Sequence, residues 1–102
     1  MKLDLHTGAQ DDLQEAVSWY SERDEDVAHA FLESVDFVLR SLQSYPLRWP
    51  LHPQLGVRRV SLTRFPYSIL YDRVDERRVL VFAVAHHKRS PEYWLDRRES
   101  VR

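Results

Sequence analysis

The chain has 102 residues, 43% of them hydrophobic and 12% aromatic, with no cysteine and a net charge of −1. That length supports one core, so a single domain over residues 1–102 is expected, and the apolar content argues against disorder. Without cysteine there is no disulfide framework or thiolate metal site; no run nears the ~18 apolar residues of a membrane span and no signal-peptide pattern opens the chain, so a cytoplasmic location is expected.

Met1 to His6 alternates apolar and polar residues, as a short half-buried strand does. Thr7 to Gln10 reads as a capping box, with Asp11 and Asp12 in the first turn of a helix that runs to about Ser21. Leu13, Ala16, Val17 and Tyr20 form its apolar stripe. A second helix follows Asp24-Glu25-Asp26; Val27, Ala28, Phe31, Leu32, Val35, Val38, Leu39 and Leu42 fall within an arc of about 140°, and Phe37 lies opposite. It ends before Tyr45-Pro46. The short linker predicts an antiparallel helix hairpin.

Tyr45 to Gly56 is a proline-rich loop, with Leu47, Trp49 and Leu51 as its candidate anchors. Three strands are expected next, over Val57–Thr63, Phe65–Asp72 and Val79–Ala85. The first places Arg58, Val60 and Leu62 opposite Arg59, Ser61 and Thr63; the last is apolar on both faces, as a central strand is. Ser90 and Pro91 open a short final helix. The class is α+β: an N-terminal strand, an antiparallel helix hairpin, a three-stranded antiparallel sheet and a short C-terminal helix.

Charge is unevenly spread. Asp4, Asp11, Asp12, Glu15, Glu22, Asp24, Glu25, Asp26, Glu33 and Asp36 crowd the front, while Arg58, Arg59, Arg64, Arg73, Arg77, Arg78, Lys88, Arg89, Arg97, Arg98 and Arg102 occupy the back. One cationic face suits an anionic partner, but the overall balance falls short of a dedicated nucleic-acid binder. His86 and His87 end an apolar run and point to opposite faces if the strand continues, which excludes a shared metal; they are better placed for proton transfer or packing. Arg58, Arg59, Arg64, Lys88 and Arg89 can converge near Tyr93 as a phosphate grip, or form a solvated basic face for a protein partner. Phe37, Trp49 and Trp94 are large rings available to core or interface.

The runs W-Y, V-R-R, R-F-P-Y-S-I-L-Y and A-V-A-H-H-K-R-S-P-E-Y-W, in that order, resemble the RelE/ParE superfamily of bacterial type II toxins. The resemblance implies a cytoplasmic growth-inhibiting toxin of the plasmid-stabilisation type, paired with an antitoxin in a hetero-oligomer. It implies no metal and no cofactor. RelE-like members cut mRNA in the ribosome; carried over, Arg58, Arg64 and Arg89 would hold the phosphate, and His87 or Tyr93 would move protons. ParE-like members inhibit DNA gyrase. RelE-like nucleases resemble strongly basic, lysine-rich proteins. Here only Lys2 and Lys88 are lysines, and His87 stands where the RelE pattern has an arginine. A ParE-like toxin acting by binding rather than catalysis is therefore expected. A metal-independent endoribonuclease and a non-toxic antitoxin-binding domain are the alternatives. Arg59, Phe37, Trp49, His86, Lys88 and Trp94 are the candidate contacts to target or antitoxin. The antitoxin is expected to be an acidic, partly disordered chain over the helix hairpin and the basic sheet edge.

Overall fold

A computed structural model describes residues 1–99; Arg102, one of the cations named above, lies outside them. Strand β1 (Lys2–Leu5) leads into α1 (Thr7–Ser21) and α2 (Glu25–Ser44). Strands β2 (Arg58–Ser61), β3 (Tyr67–Asp75) and β4 (Arg78–His86) follow, then a 3-10 turn over Pro91–Trp94 and α3 (Leu95–Glu99). This is the expected α+β order.

The start of α1 differs from expectation, and that of α2 does not. His6, not Thr7, caps α1, its Nδ1 accepting the Gly8 amide at 3.0 Å. An imidazole in its acceptor tautomer thus does the work usually given to a hydroxyl. Gln10 reaches the Leu5 carbonyl at 3.1 Å, and Asp11 and Asp12 fall beyond the first turn. On α2, Asp24 caps as its position suggests, accepting the Asp26 amide at 2.9 Å. Phe31, Val35 and Leu42 are buried, each worth about 2 kcal/mol of transfer free energy. The apolar arc is narrower than its spacing implies, because Val27 and Leu32 at its margins face solvent. Phe37 is 72% exposed.

The sheet order is β1-β4-β3-β2, with β1 parallel to β4 and the other pairs antiparallel. One face packs under the helices through Val60, Leu62, Ile69, Tyr71, Val79, Val81 and Val84. The other gathers Val57, Leu70, Leu80, Phe82, Ala83 and Trp94. A β-bulge explains how β4 serves both. Leu70 pairs with Ala83 and Tyr71 with Val81, so Phe82 is the extra residue. Phe82 and Ala83 therefore face the same way, and every later side chain reverses its parity.

β1 is too short to cover β4. Its last bond runs from the His6 amide to the Val81 carbonyl, 2.9 Å. Beyond it, the Phe82 carbonyl accepts from Arg97 Nη1 at 3.0 Å, and the Val84 amide donates to Asp12 Oδ2 at 3.1 Å. Two side chains thus take the place of the missing strand, which answers the unpaired edge.

The loop before β2 is held by polar contacts. Arg58 Nη1 donates to the Trp49 carbonyl at 2.6 Å and Tyr71 to the Pro46 carbonyl at 3.0 Å. Trp49 packs half-buried on the helical core, but Leu47 and Leu51 face solvent and anchor nothing apolar. The chain's two glycines each lie beneath one arginine of α3. A Cβ on Gly8 would meet the Arg97 guanidinium; Gly56, at φ +68°, would meet that of Arg98.

Candidate functional site

Alternation along β2 sends Arg58 and Arg59 to opposite faces. Arg59, Ser61, Ser68 and His87 share the face away from the helices. Ser68 is 3% exposed, and its Oγ lies 3.1 Å from Arg59 Nε, 3.1 Å from Ser61 Oγ and 3.0 Å from His87 Nε2. Arg59, Ser68 and His87 open onto a hollow of about 220 Å³ that also borders His52, Arg89 and Trp94, and among the described residues no carboxylate stands in its wall. Its chemistry favours an anionic group.

Arg58 is not part of it. Its Nε lies 3.3 Å from Asp72 Oδ1 on the opposite side of the sheet, and only 17% of its side chain is exposed. It braces the loop. Arg64 stands exposed on the turn between β2 and β3.

Arg89 and Tyr93 belong to a second cluster, built around Asp12. That carboxylate is 4% exposed. It accepts from Arg97 Nη1 at 2.8 Å, Arg97 Nη2 at 3.3 Å, the Tyr93 hydroxyl at 3.2 Å and the Val84 amide at 3.1 Å. Arg89 stacks on the Tyr93 ring at 3.6 Å, with its Nη1 3.9 Å from Asp12 Oδ1. Burial alone would lower the Arg97 pKa, but its hydrogen bond to Asp12 and that group's charge reverse the sign, and the net shift is upward. Burial first, then the charge of Asp12, raises the Tyr93 phenol far above 10.0. A phenol so held donates to Asp12 and stays protonated near neutrality.

This has a measurable consequence. Because the folded-state pKa is raised, the stabilisation is complete below the unfolded value of 10.0 and is lost as pH rises past it. Tyr20, Tyr67 and Tyr71 are raised as well, mainly by burial, Tyr71 to about 12. Alkaline unfolding followed by circular dichroism should therefore steepen above about pH 10. Tyr93→Phe should flatten that fall while costing some stability at pH 7; an unchanged alkaline slope would count against the assignment.

The remaining candidates separate by exposure. His86 lies edge-on to Tyr67, ring centroids 5.1 Å apart, and its Nδ1 accepts the Lys88 amide at 3.1 Å. His86 and His87 do face opposite ways, and among the described residues no group of three His, Cys, Asp or Glu converges as metal ligands. Lys88 and Phe37 are exposed and Trp49 is half-buried. Trp94 is the correction: at 0% exposure it fills the second core and backs the hollow rather than standing out as a surface ring. Sequence reasoning missed Asp12 and Arg97. Asp12 sits between Ala9 and Ala16 at helical spacing, beside the buried stripe, and small neighbours around a carboxylate were the available signal.

A family model described as the ParE toxin of the type II toxin-antitoxin system, parDE, matches residues 3–91. A solved structure titled "Chromosomal ParDE TA system from P. aeruginosa" superposes with a TM-score of 0.71 at 19% identity, covering 84% of this chain and 95% of that one. No curated protein matches the chain.

Proposed function

Since this chain belongs to the ParE toxin family of type II toxin–antitoxin systems, we propose that it arrests growth by binding its target rather than by cutting RNA, that the target is DNA gyrase, and that a cognate antitoxin neutralises it. One observation carries the choice of mechanism. The Tyr93 hydroxyl is committed to Asp12 and Arg58 is turned to the opposite face, so neither joins His87 and Arg89 as the cleavage reading requires. What the back face offers is a cationic hollow of fixed shape, with Arg59, His87 and Arg89 around it. Such a surface suits recognition: His87 Nε2 is engaged with Ser68 Oγ and the Tyr93 hydroxyl with Asp12. Action on gyrase puts its work in the cytoplasm and fits a plasmid-stabilising role.

A paired assay tests this. Purified protein should stop gyrase supercoiling and leave mRNA on translating ribosomes intact, and Arg59→Ala with His87→Ala should weaken the gyrase effect without unfolding the chain. Ribosome-dependent cleavage with untouched supercoiling would overturn it.

A further inference from the structure

On the helix side of the sheet, α1 and the end of β4 enclose a groove of about 480 Å³. Its walls are aromatic. Trp19, half exposed, meets Tyr20 edge to face at 5.1 Å, and Tyr20 and Tyr67 lie 6.4 Å apart by ring centroid. Ala16 and Val84 form an apolar floor, and exposed Glu15 stands on the rim. A shallower extension follows α1 past Asp11 and Glu22. Positions 11, 15 and 22 share one helical stripe, so the entrance is lined with carboxylates.

The groove's own cations are already engaged. Arg89 stacks on Tyr93 and faces Asp12, while His86 accepts the Lys88 amide. Asp12 is fully used by its donors. Glu15, by contrast, has no ion-pair partner among the described residues, and Asp11 is felt only at a distance by Arg97. Trp19 already displays the chemistry of its ring: Arg23 Cζ rests 3.6 Å from its centroid.

We infer that this groove takes a cationic side chain, arginine or lysine, carried between apolar neighbours on a segment of a partner protein. The charge sits between the Glu15 carboxylate and the faces of Trp19 and Tyr20, and the apolar neighbours rest on Ala16 and Val84. Charge complementarity decides the sign, because an acidic segment here would face Glu15 and Asp11, with Glu22 already paired to Arg23. The inference rests on the antitoxin-binding reading for the identity of the partner and adds the character of its anchor. It also revises the expectation of an acidic chain over the helices: acidic partner residues suit the hollow on the other face.

A peptide titration followed by nitrogen-15 NMR tests it without the natural partner. The probe is acetyl-Leu-Ala-Arg-Leu-amide, run beside the same peptide with citrulline or glutamate in place of arginine. The arginine peptide should give saturable shifts at Ala16, Tyr67 and the Trp19 indole, weakened about three- to tenfold by Glu15→Gln and unchanged by Phe37→Ala. Equal binding of the citrulline peptide, indifference to Glu15→Gln, or no shifts in the groove would overturn it. Growth arrest and its relief by the antitoxin are scored separately. A toxin neutralised equally well when Glu15 is replaced by glutamine loses this inference and keeps the toxin reading.

Discussion

Replacing Asp12 by alanine is expected to lower the unfolding free energy by about 3 kcal/mol and the melting temperature by about 15 °C. The change strips Arg97 of its buried carboxylate and leaves the Val84 amide and the Tyr93 hydroxyl without their acceptor. A buried donor left unsatisfied costs about 1–3 kcal/mol, and a stranded charge costs more. Arg97 is 16% exposed, so water recovers part of that loss, which holds the figure below the upper end for a deep ion pair. Asp12→Asn keeps one carbonyl acceptor and should cost less. Combining Asp12→Ala with Arg97→Leu should restore part of the loss, since the uncompensated cation goes too. Urea melts of wild type, Asp12→Ala, Arg97→Leu and the double variant give the cycle; a cost for Asp12→Ala below about 1 kcal/mol would mean that solvent replaces the carboxylate.

Trp94→Ala should cost about 4 kcal/mol, within the range for emptying a large aromatic site. Its ring fills the second core among Val57, Leu70, Leu80 and Phe82. Its indole N–H has no hydrogen-bond partner among the described residues, so the site already carries a small penalty. Trp94→Phe should therefore cost only about 1 kcal/mol, because it removes that orphan donor along with part of the ring. Phe37→Ala, at a site 72% exposed, should stay within about 0.5 kcal/mol of wild type. Comparable losses for Phe37→Ala and Trp94→Ala would contradict the placement of both rings.

The contrast between those rings shows what the sequence could tell. Phe37 was legible as exposed because helical period alone puts it opposite the stripe. Trp94 was not, because it lies on a short turn with no period to read, and what covers it comes from strands more than ten residues away. The elements themselves were legible for similar local reasons: Asp24 caps, Pro46 stops a helix, and β2 alternates. The split of Arg58 from Arg59 followed from that alternation, and so did the divergence of the two histidines. The parallel pairing of β1, the Asp12 cluster and the seating of Arg97 and Arg98 over the two glycines are long-range contacts. Residues 12 and 97 meet only because β1 runs out at Leu5 and leaves an edge to be closed.

The extra residue at Phe82 also decides how relatives should be compared with this chain. Past that point, a side chain's face depends on how many residues precede it in β4 as well as on its type. Deleting one residue at 82 or 83 would close the bulge and leave Ala85 opposite Ser68, His86 opposite Tyr67 and His87 on the hollow side. A relative one residue shorter between Val81 and His86 would thus carry its hollow-facing group one place earlier. An ungapped comparison would then match residues on opposite faces of the sheet. Which basic residue corresponds to His87 is a matter of counting strand residues from the bulge, before any matching of residue types.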